Sequence, residues 1–102
     1  MAEFIFAYHG GEKPESAEAA TELMARWQTW IGGLGAAFVN PGAPVGMSKT
    51  VSSTGVADDG GANPVSGFSI VQADSMDAAI EMAKGCPHLE MGTVEIAELL
   101  EM

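Results

Sequence analysis

Positive charge is scarce in this chain. Of its 102 residues only Lys13, Arg26, Lys49 and Lys84 are cationic, against 14 carboxylates, for a formal net charge of −10. Nucleic-acid binding draws on a basic patch that displaces counterions, and no such patch is present. The same deficit argues against attachment to anionic membrane surfaces. Cysteine is down to a single residue, Cys86. No intrachain disulfide can form, and a reducing cytoplasm is the expected location. Long apolar runs are missing too. Phe4 to Tyr8 is too short for the core of a secretory signal and no basic region precedes it. Nothing is long enough to span a bilayer. Histidine occurs only as His9 and His88. With Cys86 these offer too few ligands for a closed metal site, so neither metal nor cofactor is expected.

What is there suits one domain over residues 1–102. A chain of this length buries roughly two-thirds of its unfolded surface, enough for one modest core. The stretch from Ser66 to Pro87 is the most legible. Phe68, Ile70 and Gln72 alternate with Ser69, Val71 and Ala73, the period of a strand. Asp74 or Ser75 can cap a helix by accepting a free N–H of its first turn. Met76, Ile80 and Ala83 then share a helical face. Gly85, in the left-handed conformation, and Pro87 end the helix.

The rest follows in order. Glu3 to His9 reads as a first strand, mostly apolar and aromatic, ended by Gly10-Gly11. Pro14 to Ser16 opens a helix running to about Gly33. Its stripe is Leu23, Trp27, Trp30 and Leu34, flanked by Ala20, Met24 and Ile31, with Glu18, Glu22 and Arg26 toward solvent. Ala36 to Val39 is a short strand closed by Asn40-Pro41-Gly42. Ser48 to Ser53 adds a small extra strand, and residues 54–65 read as a turn-rich loop. Gly92 to Ala97 is the last strand, and Leu99, Leu100 and Met102 form an apolar tail.

The order β-α-β-(β)-β-α-β gives an α+β fold, a ferredoxin-like βαββαβ sandwich with an extra short strand or hairpin. The first strand and the Phe68 strand lie side by side in its centre. With Phe4, Phe6, Tyr8, Phe68, Ile70, Val94 and Ile96 toward the helices, the opposite face carries Ile5, Ala7, His9, Ser69, Val71, Ala73, Thr93 and Glu95. The reverse assignment stays open, because both faces of the first strand are hydrophobic. A face this apolar calls for a partner, and a second copy stacking sheet on sheet would cover it.

Candidate chemistry is sparse. His9, with Glu95 near enough to orient it, is the one candidate for acid–base work. Trp27 and Trp30 form either a ligand wall or core, and Ser69 shares the face of His9. Cys86 follows a helix C-terminus, which disfavours a thiolate. His88 is expected in a solvated loop. Asp74 and Asp77 read as helix capping, and Gly60-Gly61 precedes no helix that would cradle phosphate.

Several runs together resemble YCII-related (DGPF-type) proteins: Gly67 to Ala79, Gly85-Cys86-Pro87-His88, and Gly92 to Ile96. Trp27-Gln28-Thr29-Trp30 and Ser48 to Val51 add to the likeness. The resemblance covers nearly the whole chain and implies a dimeric α+β barrel of ferredoxin-like subunits, with a pocket in each. The Asp-Gly-Pro-Phe tetrapeptide is absent, and Asp58-Asp59-Gly60-Gly61 stands near its place. The wider family's enzymes are associated with a His–Asp pair, and those positions fall at about Met24 and at Cys86. Neither side chain does that chemistry, so no activity is carried over. The expected function is a homodimer binding a small, partly apolar molecule through His9, Trp27, Trp30, Ser69 and Glu95. A cofactor-free lyase, isomerase or monooxygenase-like enzyme using His9 with Glu95 or Tyr8 is one alternative. A structural or partner-binding protein with a vestigial pocket is the other.

Overall fold

The computed structural model describes residues 2–10, 15–61 and 63–100. Gly11, Pro14 and Met102, to which the sequence assigns boundary or tail roles, lie outside them. The elements are β1 (Ala2–Gly10), α1 (Ala17–Leu34), β2 (Phe38–Pro44), β3 (Thr50–Ser52), β4 (Gly55–Ala57), β5 (Val65–Ala73), α2 (Met76–Ala83) and β6 (Gly92–Glu98). Short 3-10 turns at Gly35–Ala37 and Pro87–Glu90 precede β2 and β6. One sheet runs β2-β5-β1-β6 with antiparallel neighbours. The central pair is β1 and β5, as the ferredoxin-like reading requires, and β3 and β4 form a separate hairpin.

Both helices start where their caps put them. Ser16 Oγ accepts from Ala19 N at 3.1 Å, and Ser75 Oγ from Ala78 N at 3.1 Å, so Ser75 rather than Asp74 is the cap. Helix α1 lays a half-buried stripe of Leu23, Trp27, Trp30, Ile31 and Leu34 on the sheet. Ala20 is exposed and Met24 is 62% exposed, so the stripe is narrower than expected. Helix α2 buries Ala79 and Ala83, while Met76 and Ile80 stay partly in solvent. The expected Met76/Ile80/Ala83 face is thus rotated, and the smaller residues let the helix sit close to the sheet. Gly85 is not left-handed: the positive-φ glycines lie elsewhere, and Lys84 ends α2 in the right-handed region. A Cβ on Gly85 would stand 3.3 Å from Trp30 Cδ1, so the glycine makes room for an indole.

Three further expectations change. The second strand begins at Phe38 and runs through Asn40-Pro41-Gly42 instead of ending there. It is an edge strand with two register shifts, which is where a sheet tolerates proline. Within the supposed loop 54–65, Gly55–Ala57 is a strand that pairs with β3. The largest change is the phase of β5. Phe4 lies opposite Val71 and Phe6 opposite Ser69, and directly opposed residues share a face. Ser69, Val71 and Ala73 therefore point under the helices with Phe4, Phe6 and Tyr8, and all six are buried. Phe68 and Ile70 join Ile5 and Ala7 on the other face, where all four are half-buried. Volume explains the choice. Aromatic side chains from β1 and α1 fill the helix side, so the strand beside them supplies small residues. The assignment of Val94 and Ile96 to the helix side holds, through their pairing with Tyr8 and Phe6.

Candidate functional site

The five residues expected at a ligand site fall on two sides of the sheet. Trp27, Trp30 and Ser69 belong to the helix side. Tyr8 donates to Ser69 Oγ at 2.8 Å, and Ser69 Oγ donates to Pro41 O at 2.9 Å. Burial pushes the Tyr8 phenol well above its ordinary value, against a smaller lowering by Ser69. Trp27 meets Tyr8 edge-on at 5.3 Å and Trp30 at 5.5 Å. Trp30 also stacks on Phe6 and donates Nε1–H to Met82 O at 3.0 Å, occupying a carbonyl at the end of α2. Ser69 is core, and Trp27 and Trp30 are half-buried against that core with their rings engaged inside the chain. Tyr8 is thereby removed as a partner for His9.

His88 is likewise not the solvated loop residue of the sequence reading. The 3-10 turn tucks it beneath Trp27 and Tyr8, 7% exposed. Its Nε2 donates to His9 O at 2.8 Å. A Cβ on Gly92 would collide with both groups, so this position needs glycine. Cys86, beside it, is 4% exposed, and burial pushes its thiol up to about 11. A thiol held neutral and out of solvent is a poor nucleophile. Cys-Pro-His signalled this turn, but its burial depended on α1 closing over it.

His9 and Glu95 occupy the other face. β1 alternates, so His9 points away from Tyr8, and Glu95 reaches it from the residue opposite Ala7. His9 Nε2 lies 2.9 Å from Glu95 Oε1, and His9 Nδ1 lies 2.9 Å from Asn63 O. The imidazole is 14% exposed and the carboxylate 71%. Asn63, which the sequence reading placed only in a loop, thus holds the ring from its second nitrogen. Around the pair run Ile5, Ala7, Phe68 and Ile70, and no helix among the described residues covers them.

Two open crevices lie elsewhere. One, of about 360 Å³, runs between α1 and residues 85–90, walled by Trp30, Cys86 and Pro87. The Arg26–Glu90 ion pair closes its rim, raising the guanidinium and lowering the carboxyl. The other, of about 370 Å³, lies between Ser48, Asp58, Gly60 and the start of β5. Ser48 Oγ is buried there with no hydrogen-bond partner among the described residues. Among the described residues no three His, Cys, Asp or Glu side chains converge as metal ligands. No helix there is long and apolar enough to cross a membrane.

The family model of the YCII-related domain matches residues 5–102. The chain belongs to the YCII-related family. Among solved structures it is similar to 5-chloro-2-hydroxyhydroquinone dehydrochlorinase (TftG) from Burkholderia phenoliruptrix, in complex with 2,5-dihydroxybenzoquinone. The likeness has a TM-score of 0.58 at 15% identity, over 100% of this chain and 96% of that one. It shows the same α+β fold. No curated protein matches. Met24 and Cys86, which the resemblance sets at about the positions of the His and the Asp of the wider family's enzymes, are exposed and buried respectively.

Proposed function

We propose that this YCII-related chain acts in the cytoplasm as a homodimer whose sheets face each other across the Ile5, Ala7, Phe68 and Ile70 surface. Each subunit then binds a small, partly apolar molecule beside His9 and Glu95, without a cofactor. The observation that carries this reading is the sheet face itself: four half-buried apolar residues with one histidine–carboxylate pair set among them. Burying such a face against a second copy is favourable at roughly 25 cal/mol per Å² of apolar area. The pair would leave a polar notch in an otherwise apolar interior, the usual composition of a small-molecule site. The dihydroxybenzoquinone held by TftG, flat with oxygens on its edge, is a ligand of this kind. Trp27, Trp30 and Ser69 act in this reading as the floor that fixes the sheet, not as ligand contacts.

Sedimentation at micromolar concentration, with native mass spectrometry for retained small molecules, tests this. A dimer is expected, and a well-folded monomer overturns the reading. His9→Gln separates binding from catalysis. It should shift ligand affinity by about 1–2 kcal/mol, the scale of a hydrogen bond. A loss of turnover of about 100-fold with dimerisation intact would instead mark His9 as an acid–base catalyst.

A further inference from the structure

The hairpin of β3 and β4 is left uncovered by the rest of its own fold. Every residue of both strands is exposed. Val51 lies directly opposite Val56, so their side chains share a face, and they are 77% and 63% exposed. On the lead into the hairpin Val45 and Met47 are exposed as well. The polar groups, by contrast, are engaged within the hairpin. Thr50 Oγ1 donates to Asp59 O at 2.8 Å, and Lys49 pairs with Asp58 at 3.4 Å. Two strands alone are marginally stable in water, and an apolar pair that stays in solvent adds little to them. A grouped apolar surface of this kind marks a contact.

Charge and area both point to a second copy of this chain as the cover. Between Glu22 and Asp58 the sequence has no carboxylate, although the chain has 14. β2, β3 and β4 fall wholly within that stretch, whereas both helices, β1 and β6 carry carboxylates. A second copy, with its net charge of −10, meets like charge at those elements and none on the hairpin strands. As to area, a stable interface takes about 20–30 residues a side. The open sheet face shows every second residue of strands seven to nine residues long, roughly 16 in all. The hairpin can supply the remainder, and it is joined to that face: the chain returns from β4 through Asn63, whose carbonyl oxygen lies 2.9 Å from His9 Nδ1.

Resting on the homodimer proposed above, we infer that residues 45–57 form an arm whose Val51–Val56 face docks on the second copy beside its open sheet face, each copy clasping the other about a twofold axis.

Val51→Glu tests this, because it sets a carboxylate on the arm at a position already exposed in the subunit. The circular dichroism spectrum should be unchanged, and the dimer dissociation constant in sedimentation should rise at least about tenfold. A photo-crosslinking residue, p-benzoylphenylalanine, at Val51 gives a second measurement that does not depend on weakening the dimer. In dimers mixed from isotopically light and heavy chains, mass spectrometry should find it joined to the other chain. Unchanged affinity of Val51→Glu, or crosslinks confined to one chain, overturns the arm and leaves the sheet-to-sheet dimer standing. A wild type that sediments as a folded monomer refutes the dimer itself, and the arm with it.

Discussion

On the helix side of the sheet, the hydroxyl of Tyr8, the indole N–H of Trp30, Ser69 Oγ and His88 Nε2 each have a partner inside the chain. On the other side the hydrogen-bonded pair His9 and Glu95 keeps a carboxylate largely in water, and the apolar residues around it are only half-buried. The same two strands, β1 and β5, furnish both faces, so the difference lies in what packs on them. The helix side is finished: its aromatic rings interlock and its polar atoms are satisfied. The open side mixes half-buried apolar residues with polar ones such as Glu3, Gln72 and Thr93, and no second layer among the described residues covers it. That contrast assigns stability to the first face and, under the proposed function, recognition to the second.

The sharpest way to break the contrast is to put one charge on each face at adjacent positions. Val71 is fully buried beneath the helices, next to Ile70 on the open face. Val71→Asp should strand an unpaired charge in the core and remove several kcal/mol of the roughly 5–15 kcal/mol that holds a small domain together. Circular dichroism should show an unfolded or melted chain. Ile70→Asp should leave the fold nearly intact and abolish the dimer in sedimentation. If both variants unfold, the open face is core and the contrast fails. If Ile70→Asp remains dimeric, the second copy docks elsewhere.

This phase is also where the sequence misleads. The order of the four sheet strands and two helices and the central pair follow from period and punctuation, whereas period alone leaves Asp74 or Ser75 as the second cap and either face of β1 as the inward one. In β5 both alternating sets are acceptable inward sets, and Phe68 and Ile70 are the bulkier. Inward volume, however, is already taken by Phe4, Phe6, Trp27 and Trp30, and only their three-dimensional crowding selects Gly67, Ser69, Val71 and Ala73 as the facing set. The same blindness affects the site. His9 with Glu95 is legible from strand positions, whereas Ser69 follows β5 to the wrong side. The Asn63 carbonyl that fixes the His9 ring comes from a loop with no periodicity to place it.

Smaller changes on the helix side sharpen the assignment. Trp30→Phe deletes the N–H that reaches Met82 O and some of the contact with Phe6 and Phe38. Thermal or urea unfolding should show a loss of about 1–3 kcal/mol with ligand affinity unchanged. Unchanged stability with impaired binding would make Trp30 a ligand residue and move the site to the crevice beside it. Tyr8→Phe should cost less, about 1 kcal/mol by the same measurement, because Ser69 Oγ keeps its bond to Pro41 O.

The subtlest expected effect needs alkaline pH to appear. Burial raises the Cys86 thiol from 9.0 to about 11, and raises the Tyr8 phenol as well. A group whose folded value lies above its unfolded one contributes stability that is complete below the unfolded value and drains away as pH climbs through the folded one. For Cys86 the window opens near 9.0 and closes near about 11. Tyr8 enters later, from its ordinary 10.0 upward, and a thiolate at Cys86 makes its ionisation harder still. Between pH 9.0 and 10.0 the loss of stability should therefore belong mainly to Cys86. Melting temperatures of the wild type should fall across that interval, and those of Cys86→Ala should fall less, whatever the substitution costs at neutral pH. Equal slopes would mean that Cys86 titrates as a solvent-exposed thiol, and the helix side would then be less finished than its packing implies.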